Sequence, residues 1–217
     1  MTYSIIQAGP SRSFAEGHPL IEGGNDAGDG LIIVGELAGE LLVTLSGIDQ
    51  RSFVAVELGA ECLGLHWPEA SDDRLSNVVG FARFRLGRAH PSNLIEIVRQ
   101  ANTASGAIAQ ARAAFEGTGL VTVACADVPG RIVDRLIRPY YNAALRRLDE
   151  GLATATDMDA TLRLGLGYPE GPIALLERTG LEHHHDVSAA LYAALGSEAY
   201  LPARRAQVAK QRSQAKR

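Results

Sequence analysis

Asp127-Val128-Pro129-Gly130-Arg131-Ile132-Val133-Asp134-Arg135 marks the point where this chain changes from strands to helices. Asp127 stands two residues before Pro129, and an N-cap followed by a first-turn proline predicts a helix opening here. Beyond it, Ile132, Val133, Leu136, Ile137, Tyr140, Tyr141, Ala144, Leu145 and Leu148 recur at helical spacing and form one apolar stripe. Arg131, Arg135, Arg138, Asn142, Arg146 and Arg147 take the opposite face, which is expected to meet water. Gly151 ends the helix, and Pro139 inside it is expected to kink or divide it. Helices continue downstream. Thr154-Ala155-Thr156-Asp157 caps one that runs to Gly165, Pro172 starts one over 173–178, and another covers 187–195 before Gly196.

Upstream the pattern is β-rich. Residues 3–8 form a short strand candidate, followed by a turn at 9–13 and a glycine-rich loop over 17–30. Leu31-Ile32-Ile33-Val34-Gly35 is a continuous apolar run of the kind that makes a buried strand. Residues 41–45 are a helix or a strand. The runs 52–58, 62–67 and 77–84 are further strand candidates, and 68–76 is turn-like. Residues 94–98 suit either a helix or a strand, 103–116 a helix closed by Gly117, and 120–124 a short strand. Alternation of this sort predicts an α/β layer.

Composition agrees with a globular chain: 217 residues, 46% hydrophobic and 21% charged. No apolar run reaches membrane-spanning length, and no basic-then-apolar leader follows Met1, so neither membrane nor secretion is expected. Cys62 and Cys125 are too few and too far apart for a disulfide framework or a cysteine-based zinc site, which points to reduced thiols in the cytoplasm. The formal charge of −4 is uneven. Residues 204–217 carry six basic residues and no acid, leaving −10 to the rest. With no aromatic residues between those charges, the tail reads as a frayed, solvated end rather than a nucleic-acid site. His183-His184-His185-Asp186 reads as a polar helix start. Adjacent helical side chains point about 100° apart and do not converge on one ion, so no metal is expected.

The segment 127–135 resembles the Asp-x-Pro-Gly-Phe-x-x-Asn-Arg signature that opens the C-terminal domain of 3-hydroxyacyl-CoA dehydrogenases. The likeness continues in order through Glu150-Gly151-Leu152-Ala153, Asp157-Met158-Asp159, the run from Leu162 to Pro172, and Leu176-Glu177-Arg178-Thr179-Gly180-Leu181. It covers about eighty residues. Upstream, Asn93-Leu94-Ile95-Glu96-Ile97-Val98 is similar to the family's Leu-Val-Glu-Val segment, and 78–84 falls where the family has Gly-x-His-Phe-Phe-Asn-Pro. The resemblance implies a Rossmann-like, partly parallel sheet region over 1–125, truncated relative to a full dinucleotide-binding domain. It implies an all-helical domain with a basic tail over 126–217, NAD as cofactor, acyl-CoA as ligand, and a homodimer formed through the helical half.

Carried over by position, the family's general-base histidine becomes Ala82, the glutamate that orients it is Glu96, and the substrate-holding asparagine becomes Asp134. His66, in Gly64-Leu65-His66-Trp67-Pro68, and His90 are the alternative bases. Glu96, Asp134 and His66 are therefore the candidate catalytic residues. The family's Gly-x-Gly-x-x-Gly phosphate loop has no counterpart. Gly9-Pro10-Ser11-Arg12-Ser13 holds one glycine, and the cluster from Gly23 to Gly30 precedes a strand instead of following one.

Two functions fit. One is a divergent oxidoreductase of fatty-acyl-CoA metabolism with weak or no dehydrogenase activity alone. The other is a non-catalytic dimerising or acyl-CoA-binding protein.

Overall fold

The computed structural model describes residues 2–69 and 74–216, so part of the turn expected over 68–76 lies outside the described residues. The chain divides into two compact units. One comprises Met1–Arg85 and Pro91–Ile132, the other Leu86–His90 and Val133–Arg217.

The first unit is built on a six-stranded sheet: β1 (Tyr3–Gln7), β2 (Gly30–Val34), β3 (Val54–Glu57), β4 (Val78–Arg83), β5 (Leu94–Arg99) and β6 (Val121–Ala126). The strands lie side by side in chain order. β1 to β4 are parallel, β5 runs antiparallel to β4, and β6 is parallel to β5. Alternate side chains feed two cores. Ile32, Val34, Phe53, Ala55, Val79, Phe81, Ile95 and Ile97 face one, with Ala107, Ala111 and Phe115 of α3 (Ser105–Glu116). Leu31, Ile33, Val54, Val56, Val78 and Val98 face the other, with Ala38 and Leu42 of α2 (Ala38–Leu42). Burial on both faces is why these strands read as unbroken apolar runs.

Several expectations for this unit are corrected. Six strands fit before the signature, where the resemblance implied a truncated region. What is missing is the reversal of order. A doubly wound sheet turns back beside its first strand and binds nucleotide at that switch point. Among the described residues β1 is an edge strand and the order does not reverse. The glycine-rich loop contains a short helix, α1 (Pro19–Glu22), with Pro19 in its first turn and the His18 ring accepting the Leu20 amide proton. Residues 62–67 are not a strand but a tight 3₁₀ turn over Leu63–Leu65. The Asp127 carboxylate accepts the Leu63 and Gly64 amides at 2.7 Å each, which commits that backbone to a turn.

The same bonds correct the helix start. Asp127 caps the 63–64 turn rather than a helix of its own, Arg131 sits at φ +52°, and α4 begins only at Val133. Pro139 does not divide α4, which runs uninterrupted over Val133–Asp149.

The second unit is helical: α4, α5 (Ala155–Leu166), α6 (Pro172–Thr179), α7 (Leu181–Leu195) and α8 (Arg204–Gln214). Thr154 caps α5 through the Asp157 amide, as expected. In α4 the buried face keeps Tyr141, Ala144 and Leu145 of the expected stripe but also takes in three polar residues. Asp134, Arg138, Tyr141, Asn142, Ala144 and Leu145 are buried, whereas Leu136 is 69% exposed. Besides Asp134 one turn away, Arg138 meets His184 of α7, and Asn142 meets His184 and the Ala199 carbonyl after it. These partners lie more than forty residues away, and helical periodicity carries no record of them. The basic tail is not frayed either. It forms α8, with Arg204 and Arg205 paired to Asp149 and Lys210 to Asp186. None of the described helices is long and apolar enough to cross a membrane.

Candidate functional site

Glu96 occupies the middle of β5, 2% exposed, with its side chain on the same sheet face as Val98. In the β4–β5 register its direct partner is Ala82. Directly paired residues hold their Cβ atoms roughly 5 Å apart. The position facing the carboxylate therefore carries a methyl group, which neither accepts nor donates a proton.

What meets Glu96 instead comes from the 127–135 segment. The Ile132 amide donates to its Oε1 at 2.8 Å, and the Arg131 guanidinium lies 3.5 Å from its Oε2 with both side chains almost fully buried. Arg131 also donates to the Gly59 carbonyl at 2.6 Å. Its backbone is in the left-handed region, unusual for a residue with a side chain and held here by these contacts. A buried carboxylate needs a partner of opposite charge, and Arg131 supplies it. Sequence reasoning placed Arg131 on a solvated helical face. The available signal was a cation standing at an apolar position of the signature, beside an acid inside an apolar strand.

Cys125 lies on neighbouring β6. Burial, and secondly the Glu96 charge, push its thiol up to about 11. Burial also raises Cys62, with the charges of Asp127 and Glu61 adding to it. Both cysteines are free and protonated near neutrality, which makes them poor nucleophiles.

His66 follows the 63–65 turn. Its ring packs on Gly39 of α2, and its Nε2 is 3.7 Å from a Glu61 carboxylate oxygen. Asp134 belongs to the helical unit, where its Oδ1 accepts from Arg138 Nε at 2.7 Å. Arg138 is fully buried and reaches His184 Nδ1 at 3.2 Å, and His184 Nε2 lies 3.0 Å from Asn142 Oδ1. A guanidinium only donates, so His184 Nδ1 is the acceptor and Nε2–H donates to Asn142. Burial, then the charges of Arg138 and His185, hold the His184 ring down at about 3. His183 and His185 turn to Glu182 and Asp186, each ring with its own partner.

The C-terminal edge of the sheet is where a nucleotide's phosphates would lie. There the Glu57 carboxylate, 6% exposed, accepts from the Ser13 amide and the Ser11 hydroxyl at 2.7 Å and from the Gly35 amide at 2.6 Å. The loops that would cradle an anion already hold one belonging to the chain. Among the described residues the strand order has no switch point and that cradle is filled, so these residues do not fit a nicotinamide dinucleotide.

Residues 130–217 match the family model described as 3-hydroxyacyl-CoA dehydrogenase, C-terminal domain. A probable 3-hydroxyacyl-CoA dehydrogenase of Caenorhabditis elegans is 35% identical over 156 residues, 68% of this chain and 50% of that protein. The human mitochondrial hydroxyacyl-coenzyme A dehydrogenase is 36% identical over 89 residues, 41% of this chain and 28% of that one. The crystal structure of 3-hydroxybutyryl-CoA dehydrogenase from Escherichia coli superposes with a TM-score of 0.69 at 25% identity, covering 84% of this chain and 39% of that one. The alignment thus spans half or less of each of these proteins. Through the C-terminal domain at residues 130–217, joined to a Rossmann-like six-stranded sheet, the chain belongs to the 3-hydroxyacyl-CoA dehydrogenase family.

Proposed function

We propose that this chain is a divergent, cytoplasmic member of its family that binds an acyl-CoA thioester as a homodimer and has little or no dehydrogenase activity alone. The observation that carries the reading is Glu96 facing Ala82 and held by Arg131. A carboxylate can orient and charge a histidine only where one stands beside it. Loss of a general base forfeits about 10²- to 10⁴-fold in rate, and the filled anion cradle argues against the hydride carrier as well. Acyl-CoA binding is supported by the retained helical domain.

The test uses the purified chain with NADH and acetoacetyl-CoA. Absorbance at the nicotinamide band is expected to stay flat, while acyl-CoA raises the melting temperature and NADH does not. Turnover abolished by Glu96→Gln would establish the enzyme instead.

Dimerisation has a physical basis in the helical unit. α5 buries none of its residues, and Leu164 and Leu166 stand exposed on it, as Leu136 does on α4. Apolar side chains in that number mark interaction surfaces. Light scattering at micromolar concentration is expected to give twice the mass of one chain, and a monomer would contradict this.

A second reading rests on His66 beside Glu61. That pair has the composition of a base and its orienting acid, and would supply residual hydroxyl chemistry in place of the missing histidine. Under this reading His66→Ala removes any turnover found. Unchanged turnover eliminates His66.

A further inference from the structure

We propose that Glu57 is a built-in anion, filling an oxyanion seat made by the loops after β1 and β2, and that this seat accepts small carboxylates or inorganic phosphate once the side chain is removed. The inference deepens the proposed loss of dinucleotide binding and rests on it for one point, that this seat is where a nucleotide phosphate is excluded.

The donors come from separate parts of the chain and converge on one carboxylate. The Ser13 amide reaches Oε1, while the Ser11 hydroxyl and the Gly35 amide reach Oε2. Ser11 Oγ is itself polarised, because it accepts from the Phe14 amide at 2.9 Å while donating to Glu57. Ser13 is fixed in turn by the Arg83 amide, which donates to Ser13 Oγ at 3.2 Å. Gly35 is at φ +115°, and a Cβ there would lie 2.3 Å from the Ala8 carbonyl oxygen, so only glycine aims this amide at the seat. Successive inward-pointing amides at the C-terminal ends of parallel strands form a general anion site. Here the anion is supplied by the third strand. Its burial leaves no room beside it, and a second negative charge in the same seat would be strongly repelled.

The experiment compares the full chain with Glu57→Ala and Glu57→Gln, in chloride and in formate or phosphate at equal ionic strength. Melting temperatures and the amide resonances of Ser13 and Gly35 are followed. The native chain is expected to show neither shift nor stabilisation. Glu57→Ala is expected to melt lower by on the order of 5–10 °C. Formate should restore at least half of that loss, with a saturable midpoint shared by the two amides. Glu57→Gln is expected to lose stability without gaining a formate response, since its amide still fills the seat. Glu57→Ala with no recovery beyond that of the native chain would overturn the proposal, as would native amides that move with phosphate. If Glu57→Ala is isolated only unfolded, its refolding yield decides: several-fold higher in formate supports the seat, and equal yields reject it. Native turnover of NADH with both amides silent would sink the proposed function and leave the seat standing. Native amides shifted by NADH would sink both.

Discussion

Asp134→Ala destabilises the helical unit by about 3–5 kcal/mol, the usual consequence of removing one member of a buried ion pair. Arg138 is fully buried in α4 and takes its countercharge from Asp134 through the Nε–Oδ1 bond of 2.7 Å. Without that carboxylate the guanidinium keeps, among the described residues, His184, a neutral acceptor. One of its nitrogens, Nη2, already has no hydrogen-bond partner among the described residues. Asp134→Asn preserves an acceptor oxygen without its charge and should fall between the two. Asp134→Leu combined with Arg138→Met removes the cation along with its need for a partner, and should recover much of the loss. Urea unfolding of the four proteins checks this. Equal midpoints for native and Asp134→Ala would show that the pair carries no weight. If Asp134 also serves an acyl-CoA ligand, Asp134→Asn will weaken ligand stabilisation beyond its effect on the free protein.

The second large effect is a pH dependence set by His184. Its folded value of about 3 lies below the ordinary imidazole value of 6.5 because burial and the neighbouring Arg138 charge oppose a second cation. His185 contributes in the same direction. In the unfolded chain the ring protonates freely below 6.5. Between those two values the unfolded state therefore binds one more proton than the folded one, and stability must rise with pH. The contribution is complete above pH 6.5 and is lost as pH falls toward 3. The slope is about 1.4 kcal/mol per pH unit, and the whole loss is on the order of 4–5 kcal/mol. His184→Gln will be less stable at neutral pH yet lose less between pH 6.5 and 4. Parallel stability curves for the two proteins across that window would remove His184 as the cause.

Much of the architecture was legible from residue pattern. The apolar run of β2 and the Thr154 cap of α5 formed where local chemistry put them. β5 was ambiguous because both of its faces are buried, which erases the alternation that distinguishes a strand. Residues 62–67 and the start of α4 were misread together, for one reason. Asp127 looked like a local cap but bonds amides 63 and 64 residues earlier. The same blindness to distant partners hid the candidate site. Glu96 was singled out by the family resemblance, whereas Arg131 became its partner only once the signature segment was folded against β5. Glu57 lies inside the strand candidate over 52–58, and its donors stand 22 to 46 residues away. The two positions that the resemblance singled out, Ala82 and Glu96, stand directly opposite each other in the β4–β5 register.

A fluorescence titration of the purified chain with NADH, in the presence of acetoacetyl-CoA, bears most directly on this account. Nicotinamide emission should rise no more than it does with an inert protein at the same concentration. A saturable enhancement that NAD competes away would mean the sheet still holds the dinucleotide despite its unreversed strand order and the Glu57 carboxylate in its cradle.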